Sequence, residues 1–221
     1  MTRSESSPTI FALEKIPRRK EYLLRLSDGS ELKVTEEDVS AFSLAAGGVL
    51  AGDLVVELGQ RHQHAASKAA ALRLLKVRPR TEAELERGLR ARGFPEAVVR
   101  RVVEGLKASG HVDDRLFARL WAVEKLRRGA SGRRRIVAEL RAKQIDRHTA
   151  EEETERAFDG EDEIEIAKQL ALRRAARMSA LPQEAKKRRL YEHLLRRGFE
   201  SEVAAEATRF ALGDSGMKGA G

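Results

Sequence analysis

Two spacings in the sequence involve residue types that perform chemistry in other proteins, a histidine pair and an aspartate pair. His62 and His64 are two residues apart, so on a helix they point to different faces, and no third metal ligand lies nearby. Asp113 and Asp114 could supply a general acid and base, but they precede an amphipathic helix, where carboxylates cap the positive N-terminus. We therefore interpret the histidines as an exposed pair and the aspartates as helix caps.

The sequence contains none of the common catalytic or nucleotide-binding motifs. The P-loop, the GxGxxG fingerprint, the HExxH zinc motif and the GxSxG elbow are all missing. The chain has no cysteine, which excludes disulfides and thiolate chemistry and is typical of a reducing compartment. We expect a protein that is not an enzyme, with no catalytic residues, no metal and no cofactor.

Basic side chains are the remaining candidates for function. The sequence has 43 Lys and Arg against 35 Asp and Glu, and its net charge of +8 suggests nucleic acid or an acidic protein surface as partner. The candidate binding residues form two groups, separated by an acidic run at residues 146–163. The first group is Arg127, Arg128, Arg133, Arg134, Arg135, Arg141 and Lys143. The second group is Arg173, Arg174, Arg177, Lys186, Lys187, Arg188 and Arg189.

The position of the first group favours a polyanionic partner. Arg133, Arg134 and Arg135 would occupy the first turn of a helix, where the helix dipole disfavours cations. We expect the preceding segment 129–132 to be a flexible turn whose amides could meet phosphate and whose two glycines could form a hinge. The alternatives are that both basic groups are only solvated faces, and that the glycines merely end one helix and start the next.

These side chains must be positioned by helices, because apolar residues recur at helical spacing along most of the chain. The pattern LxxxLxxRGF at residues 85–94 returns as IxxxLxxKQI at 136–145 and as LxxxLxxRGF at 190–199. Three copies at a nearly fixed period predict tandem helical repeats. Leu89, Leu140 and Leu194 should then be equivalent buried residues, one in each repeat.

The N-terminal residues have a different pattern. Residues 9–34 alternate apolar and polar side chains, and Asp28-Gly29 between two such runs predicts a β-hairpin. Thr35 and Asp38 then have the spacing of a helix N-cap and its partner.

The predicted fold is mainly α, with three tandem three-helix repeats and a small N-terminal segment that contains a β-hairpin. We expect the N-terminal β-rich segment at residues 1–52, beginning with a disordered stretch at 1–8, and the three repeats at 53–114, 115–160 and 161–213. A flexible tail would follow at residues 214–221. No apolar run is long enough to cross a membrane and no signal peptide is evident, so we expect a cytoplasmic protein without a membrane partner.

The order of several motifs resembles the RecX family. The motifs are ALxLLxxRxRTxxEL at residues 71–85, LxxxGF at 89–94, VDDxxFA at 112–118 and GxxxIxxELxxK at 132–143. The resemblance extends over about residues 65–213 and is weaker in the third repeat. Gln144 departs from the family, which usually has glycine at this position, and shorter family members lack the N-terminal β segment.

This resemblance implies a regulatory protein of DNA repair, homologous recombination and the SOS response. RecX proteins bind in the groove of the RecA filament and restrain its ATPase, strand-exchange and coprotease activities, and they have no catalytic residues. Together with the charge, this implies the RecA filament as partner, and weak binding of single-stranded or duplex DNA without sequence preference. The alternative is a sequence-specific helix-turn-helix transcription factor that uses residues 90–101 or 133–143 as its recognition helix.

Overall fold

The computed structural model describes residues 7–129 and 131–213. The predicted flexible tail at 214–221, Ala130 of the predicted turn, and residues 1–6 of the stretch expected to be disordered lie outside the described residues. The strands are β1 (Ile10–Lys15), β2 (Glu21–Leu26) and β3 (Glu31–Thr35). The helices are α1 (Glu36–Ala41), α2 (Gly52–Val77), α3 (Glu82–Arg90), α4 (Glu96–Ala108), α5 (Asp114–Arg127), α6 (Arg133–Ala142), α7 (Arg147–Ala157), α8 (Glu163–Ala176), α9 (Gln183–Arg196) and α10 (Ser201–Leu212). No helix in the described residues is long and apolar enough to span a membrane.

The described residues fall into two compact units. The first unit holds residues 7–78 and 85–111, and the second holds residues 79–84 and 112–213.

The N-terminal strands form an antiparallel sheet in the order β1-β2-β3. The predicted hairpin is confirmed: β2 and β3 are joined by a tight turn in which Gly29 has φ of 82° and Asp28 accepts a hydrogen bond from the Ser30 amide. The left-handed φ explains why glycine occupies this position. The predicted N-cap is also confirmed, because the Thr35 and Asp38 side chains each accept a hydrogen bond from the other's backbone amide at the start of α1.

The helix α2 contributes to the core of the sheet. Its residue Leu58 is buried together with Leu24 and Val34 of the strands. Further along the same helix, Ala70, Ala71 and Leu74 are buried as well. One end of α2 thus packs with the N-terminal sheet, while the other end belongs to the first triplet. The boundary between the N-terminal segment and the first repeat at residue 52 therefore stays a prediction.

The remaining helices follow one another as three triplets, α2–α4, α5–α7 and α8–α10, which confirms the predicted tandem repeats. The equivalent residues Leu89, Leu140 and Leu194 are all fully buried in the middle helix of their triplets. In each triplet the residue that ends the repeated motif's helix has a left-handed backbone: the φ values are 82° for Gly93, 65° for Gln144 and 84° for Gly198. Gln144 therefore follows the middle helix of the second triplet in a backbone conformation that glycine would adopt without strain.

The second and third triplets have separate apolar cores. The core of α5–α7 contains Phe117, Ala118, Ala122, Ile136, Leu140, Ile145, Ala150 and Phe158. The core of α8–α10 contains Ala167, Ala171, Leu194, Phe199, Ala204 and Ala207. Small alanines let the helix backbones approach closely, so the triplets pack tightly despite the low aromatic content of 5%.

A repeated polar joint connects the N-terminus of a middle helix to the following triplet. The amide of Glu82, first residue of α3, donates to Asp114 of α5 at 2.8 Å, and the amide of Arg133, first residue of α6, donates to Glu163 of α8 at 2.9 Å. In both places a carboxylate satisfies an amide that has no partner within its own helix. We name these contacts the triplet joints.

The residue before each of these middle helices completes the joint. The Thr81 hydroxyl donates to the Lys143 carbonyl at 3.1 Å, and the Gly132 amide donates to the Arg197 carbonyl at 2.8 Å. A Cβ at Gly132 would lie 2.6 Å from the Gly198 carbonyl oxygen, so the two backbones touch where a side chain would not fit. The expectation of a flexible hinge at 129–132 is wrong for Gly132, which is fixed in this contact next to the buried Ser131.

Candidate anion-binding site

The aspartate and histidine pairs, whose residue types could perform chemistry, lie in or next to helices. Asp113 accepts from the Leu116 amide at 2.9 Å and caps α5, which confirms the prediction for this residue. Asp114 does not cap α5 as predicted, because its carboxylate accepts from the Glu82 amide at the N-terminus of α3. His62 and His64 lie on α2, where burial lowers the pKa of both imidazoles. The described residues contain no group of three or more potential ligands that could hold a metal ion.

Most of the first basic group contacts the chain's own carboxylates. Arg127 and Arg128 both pair with Glu124, at 2.9 and 2.7 Å. Arg134 reaches Glu200 at 3.4 Å. Arg135 pairs with Glu139 at 3.0 Å and donates to the Arg196 carbonyl, and Arg141 donates to the Ile145 carbonyl.

Arg133 and Lys143 are the least exposed members of this group and belong to the triplet joints. The Arg133 guanidinium pairs with Glu163 and Glu155 and lies 4.2 Å from the centre of the Phe158 ring. The Lys143 amine pairs with Glu84 at 2.6 Å and lies 4.5 Å from the centre of the Trp121 ring. These contacts offset the unfavourable helix dipole at Arg133, so its position in the first turn does not require an external anion.

Several residues of the alternative recognition helices are held by similar contacts. On α6, Arg133, Arg135 and Lys143 are held by the contacts just described. In the 90–101 segment, Arg90 forms hydrogen bonds with Glu86 and Glu96 at 2.5 to 2.9 Å. Base readout needs side chains that can reach into a groove, and these residues are held in intramolecular contacts, whereas Arg101 is exposed and has no ion-pair partner among the described residues.

The second basic group contributes to a pocket in the third triplet. Arg173, Arg174 and Arg177 of α8 line a cavity of about 210 Å³ with Leu170 of the same helix. The other lining residues are Arg128, Gly129, His193 and Arg197. We name this cavity the arginine pocket. Its five arginines come from three separate parts of the chain, and none of its lining residues is acidic.

The arginines of this pocket differ in how they are held. The Arg173 guanidinium donates to the Gly129 carbonyl at 3.1 Å, and Arg128 retains its pair with Glu124. Arg174 and Arg177 are exposed and have no ion-pair partner among the described residues. Like charges three or four residues apart on a helix repel each other, but Arg173 and Arg174 lie in the last turn of α8, where the helix dipole favours cations.

His193 reports the positive potential of the arginine pocket. Its pKa lies below the ordinary value, first because of burial and then because Arg197, Arg174 and Arg196 disfavour a further positive charge. The sequence prediction omitted His193 and Arg197 from the candidate site. His193 lies on α9 and Arg197 is its C-cap, four residues later, and only the packing of α9 beside α8 brings them to the predicted arginines.

The remaining predicted residues lie on the N-terminal half of α9. Lys187, Arg188 and Arg189 are exposed, and Lys186 is partly buried. Lys187 and Arg188 line a second cavity of about 420 Å³ together with Glu184, Tyr191 and Arg209. The structure therefore divides the second basic group between two places on the third triplet.

The acidic run folds mainly as α7 and also has an internal role. Glu153 is fully buried, and its carboxylate accepts hydrogen bonds from Arg115, Arg119 and Arg156 at 2.7 to 3.0 Å. Burial alone would raise the pKa of Glu153, but the hydrogen bonds from Arg119 and Arg115 outweigh it and hold the pKa below its ordinary value. Glu151, Glu155 and Asp159 line an open acidic groove on the same helix.

Family models match the three triplets in order. They describe the first three-helix domain of RecX at residues 68–106, the second at 113–152 and the third at 161–208.

Proteins with the name regulatory protein RecX are similar over most of the chain. The protein of Thermobifida fusca is 34% identical over 155 residues, covering 70% of this chain and 83% of its own length. The protein of Mycobacterium ulcerans is 38% identical over 141 residues, covering 63% of this chain and 81% of its own.

Two crystal structures of RecX proteins share the fold. One has a TM-score of 0.69 at 24% identity and covers 94% of this chain and 100% of its own, which includes most of the N-terminal segment. The other, from Lactobacillus salivarius, has a TM-score of 0.59 at 22% identity and covers 68% of this chain and 97% of its own.

Proposed function

This chain belongs to the RecX family of regulatory proteins, and from that premise we propose that it binds the RecA filament and inhibits RecA. The inhibited activities would be ATP hydrolysis, strand exchange and coprotease action, in DNA repair and the SOS response. RecA works on DNA in the cytoplasm, so the proposal locates this protein there. The observation that carries the proposal is the ordered match of all three triplets to the RecX domains.

The charge distribution supports an extended, mostly polar contact. Basic residues without an ion-pair partner, such as Arg174 and Arg177, lie in the third triplet, and the acidic groove of α7 lies in the second. Surfaces of alternating sign guide association and fix the register of a partner more than they raise affinity. This suits a protein that must align several modules along a repeating filament.

The direct test adds the protein to RecA filaments preformed on single-stranded DNA and follows ATP hydrolysis. We expect hydrolysis to fall at near-stoichiometric or lower amounts of this protein. Electron microscopy of the same samples would distinguish capped filaments from filaments broken internally. Unchanged or faster hydrolysis with a folded sample, together with unchanged strand exchange, would refute inhibition.

DNA binding is the second component of the proposal. We expect weak, sequence-independent binding that declines with added salt, because each neutralised phosphate releases counterions. Replacing Arg173, Arg174 and Arg177 by alanine should reduce the slope of log affinity against log salt. Arg133 is a poor choice for this test, since its loss would break the triplet joint. A transcription factor would instead show a strong preference for one duplex sequence over random DNA.

A further inference from the structure

The arginine pocket is a concave site rather than a flat basic surface. Its cavity of about 210 Å³ has room for several waters, at roughly 30 Å³ each, and hence for one tetrahedral anion with its oxygens. Leu170 forms an apolar wall, while α8 and α9 supply guanidinium groups from two sides. Planar guanidinium groups bind phosphate oxygens in a bidentate manner, and several of them can share a group that presents three free oxygens.

The concentration of charge indicates which phosphate fits. Five arginines and a histidine face one small cavity without a carboxylate among its lining residues. A phosphodiester inside a strand carries a single charge and has two of its oxygens linked to sugars. A terminal phosphate has one such linkage, three free oxygens and a charge of about −1.5 to −2 at neutral pH. It satisfies more donors and neutralises more of the positive charge.

We propose that the arginine pocket binds a terminal phosphate group, as carried by the 5′ end of a DNA strand or by a free nucleotide. Arg174 and Arg177 are the main ligands, because they have no ion-pair partner among the described residues. Arg173 lines the pocket beside them and donates a hydrogen bond to the Gly129 carbonyl. This extends the DNA-binding part of the proposed function from a general attraction for phosphate to one defined chemical group.

The test compares ligands that differ only in the terminal phosphate. The first arm measures fluorescence anisotropy of one single-stranded oligonucleotide, labelled at its 3′ end, with either a 5′-phosphate or a 5′-hydroxyl. The second arm compares AMP with adenosine by calorimetry. The full-length protein is compared with Arg174→Ala/Arg177→Ala. The matched control is Arg73→Ala/Lys76→Ala, which removes two exposed charges at the same helical spacing on α2.

We expect the 5′-phosphate to improve affinity about tenfold, the value of an added charge-assisted hydrogen bond. That preference should disappear in Arg174→Ala/Arg177→Ala and persist in Arg73→Ala/Lys76→Ala, with the circular dichroism of both unchanged. A preference in the second arm alone would identify a free nucleotide as the source of the phosphate and still support the pocket. Equal affinities in both arms, or a preference that survives Arg174→Ala/Arg177→Ala, would overturn the proposal.

These measurements contain no RecA, so the two proposals can fail separately. Loss of the terminal-phosphate preference would leave inhibition of RecA to its own assay. Conversely, a protein that discriminates the 5′-phosphate but leaves RecA hydrolysis unchanged would retain the pocket and reject the regulatory role.

Discussion

Gln144 occupies a backbone position that glycine fills in the first and third triplets. Its φ of 65° destabilises the folded state by about 1–2 kcal/mol for a residue with a side chain. A glycine would avoid this strain but would lose about 0.5–1 kcal/mol more conformational entropy on folding. We therefore expect Gln144→Gly to raise the free energy of unfolding by about 0.5–1 kcal/mol, measured by urea denaturation. Ala142→Gly, in the last turn of α6, is the control and should be destabilising. A loss of stability in Gln144→Gly would mean that the glutamine side chain contributes more than the strain costs.

His193 should make phosphate binding depend on pH. Burial and neighbouring arginines hold its pKa below the ordinary 6.5, and a bound phosphate dianion would favour the charged imidazolium. Binding and protonation then assist each other, so the contribution of His193 to the affinity for the 5′-phosphorylated oligonucleotide should rise as pH falls. The charged groups around His193 are Arg128, Arg173, Arg174, Arg177, Arg196 and Arg197.

The variant His193→Asn separates this effect from the titration of phosphate itself. The phosphate loses charge over the same pH range in both proteins, so the ratio of their affinities isolates the imidazole. We expect the ratio to move in favour of the natural protein between pH 7.5 and pH 5.5, as anisotropy titrations would show. A ratio that does not change with pH would show that His193 does not face the bound group.

Local sequence patterns predict the roles of residues whose partners are near in sequence better than the roles of residues whose partners are distant. The capping role of Asp113 is predictable because it depends on local sequence, whereas the partner of Asp114 lies 32 residues away at Glu82. The partners of Arg133 lie 22 and 30 residues away in sequence, so no local pattern could show that its charge is satisfied internally. The sequence predicts Gly132 as part of a hinge, but its close contact with Gly198 depends on packing between triplets, which no local pattern shows.

At the scale of elements, the buried Glu153 links α5 to α7. Arg115 and Arg119 of α5 and Arg156 of α7 all donate to this one carboxylate. We expect Glu153→Gln to lower the free energy of unfolding by about 2 kcal/mol at neutral pH, since arginines would then face a neutral amide. Urea denaturation provides the measurement. The arginines are half-exposed, which keeps the loss below that of a fully buried pair.

The stabilisation contributed by Glu153 should depend on pH. Because the pKa of Glu153 is depressed in the folded state, its contribution is present above the unfolded value of 4.5 and is lost as pH falls through the folded value. The difference between Glu153→Gln and the natural protein should therefore shrink at acidic pH. Glu151→Gln, on the exposed side of α7 and paired only with Arg147 in the described structure, should change stability by less than about 0.5 kcal/mol. Equal losses for both variants would contradict the proposed role of Glu153.

The elements themselves were largely predictable because period and caps agree. The hairpin at Asp28-Gly29, the start of α1 and the middle helices of all three triplets follow local rules. The arginine pocket followed them only in part: Arg173, Arg174 and Arg177 share a helix, but Arg197 and His193 belong to another. Bringing the two sets together needed the packing of the third triplet, which depends on alanines with no distinctive pattern of their own.

At the scale of the whole molecule, the separate cores predict regional rather than global unfolding. Leu194 is fully buried in the core of α8–α10, so Leu194→Ala should cost about 2–5 kcal/mol. Repeats interact mainly with their neighbours. Hydrogen exchange should therefore lose protection in residues 163–212 first, while the sheet at residues 10–35 keeps its own. A uniform loss of protection back to residue 65 would indicate a single cooperative fold.

The residue that precedes the middle helix differs between the first two triplets and the third. Each joint needs a donor just before a middle helix, which is a hydroxyl at Thr81 and an amide at Gly132. The equivalent residue before α9 is Pro182, whose ring nitrogen has no hydrogen to donate. In a fourth triplet made by duplicating α8–α10, the Gln183 amide could still donate to a following carboxylate, but the second donor of the joint would be missing unless Pro182 were also replaced. Pro182 therefore distinguishes the third triplet from the first two, whose joints both have a donor at this position.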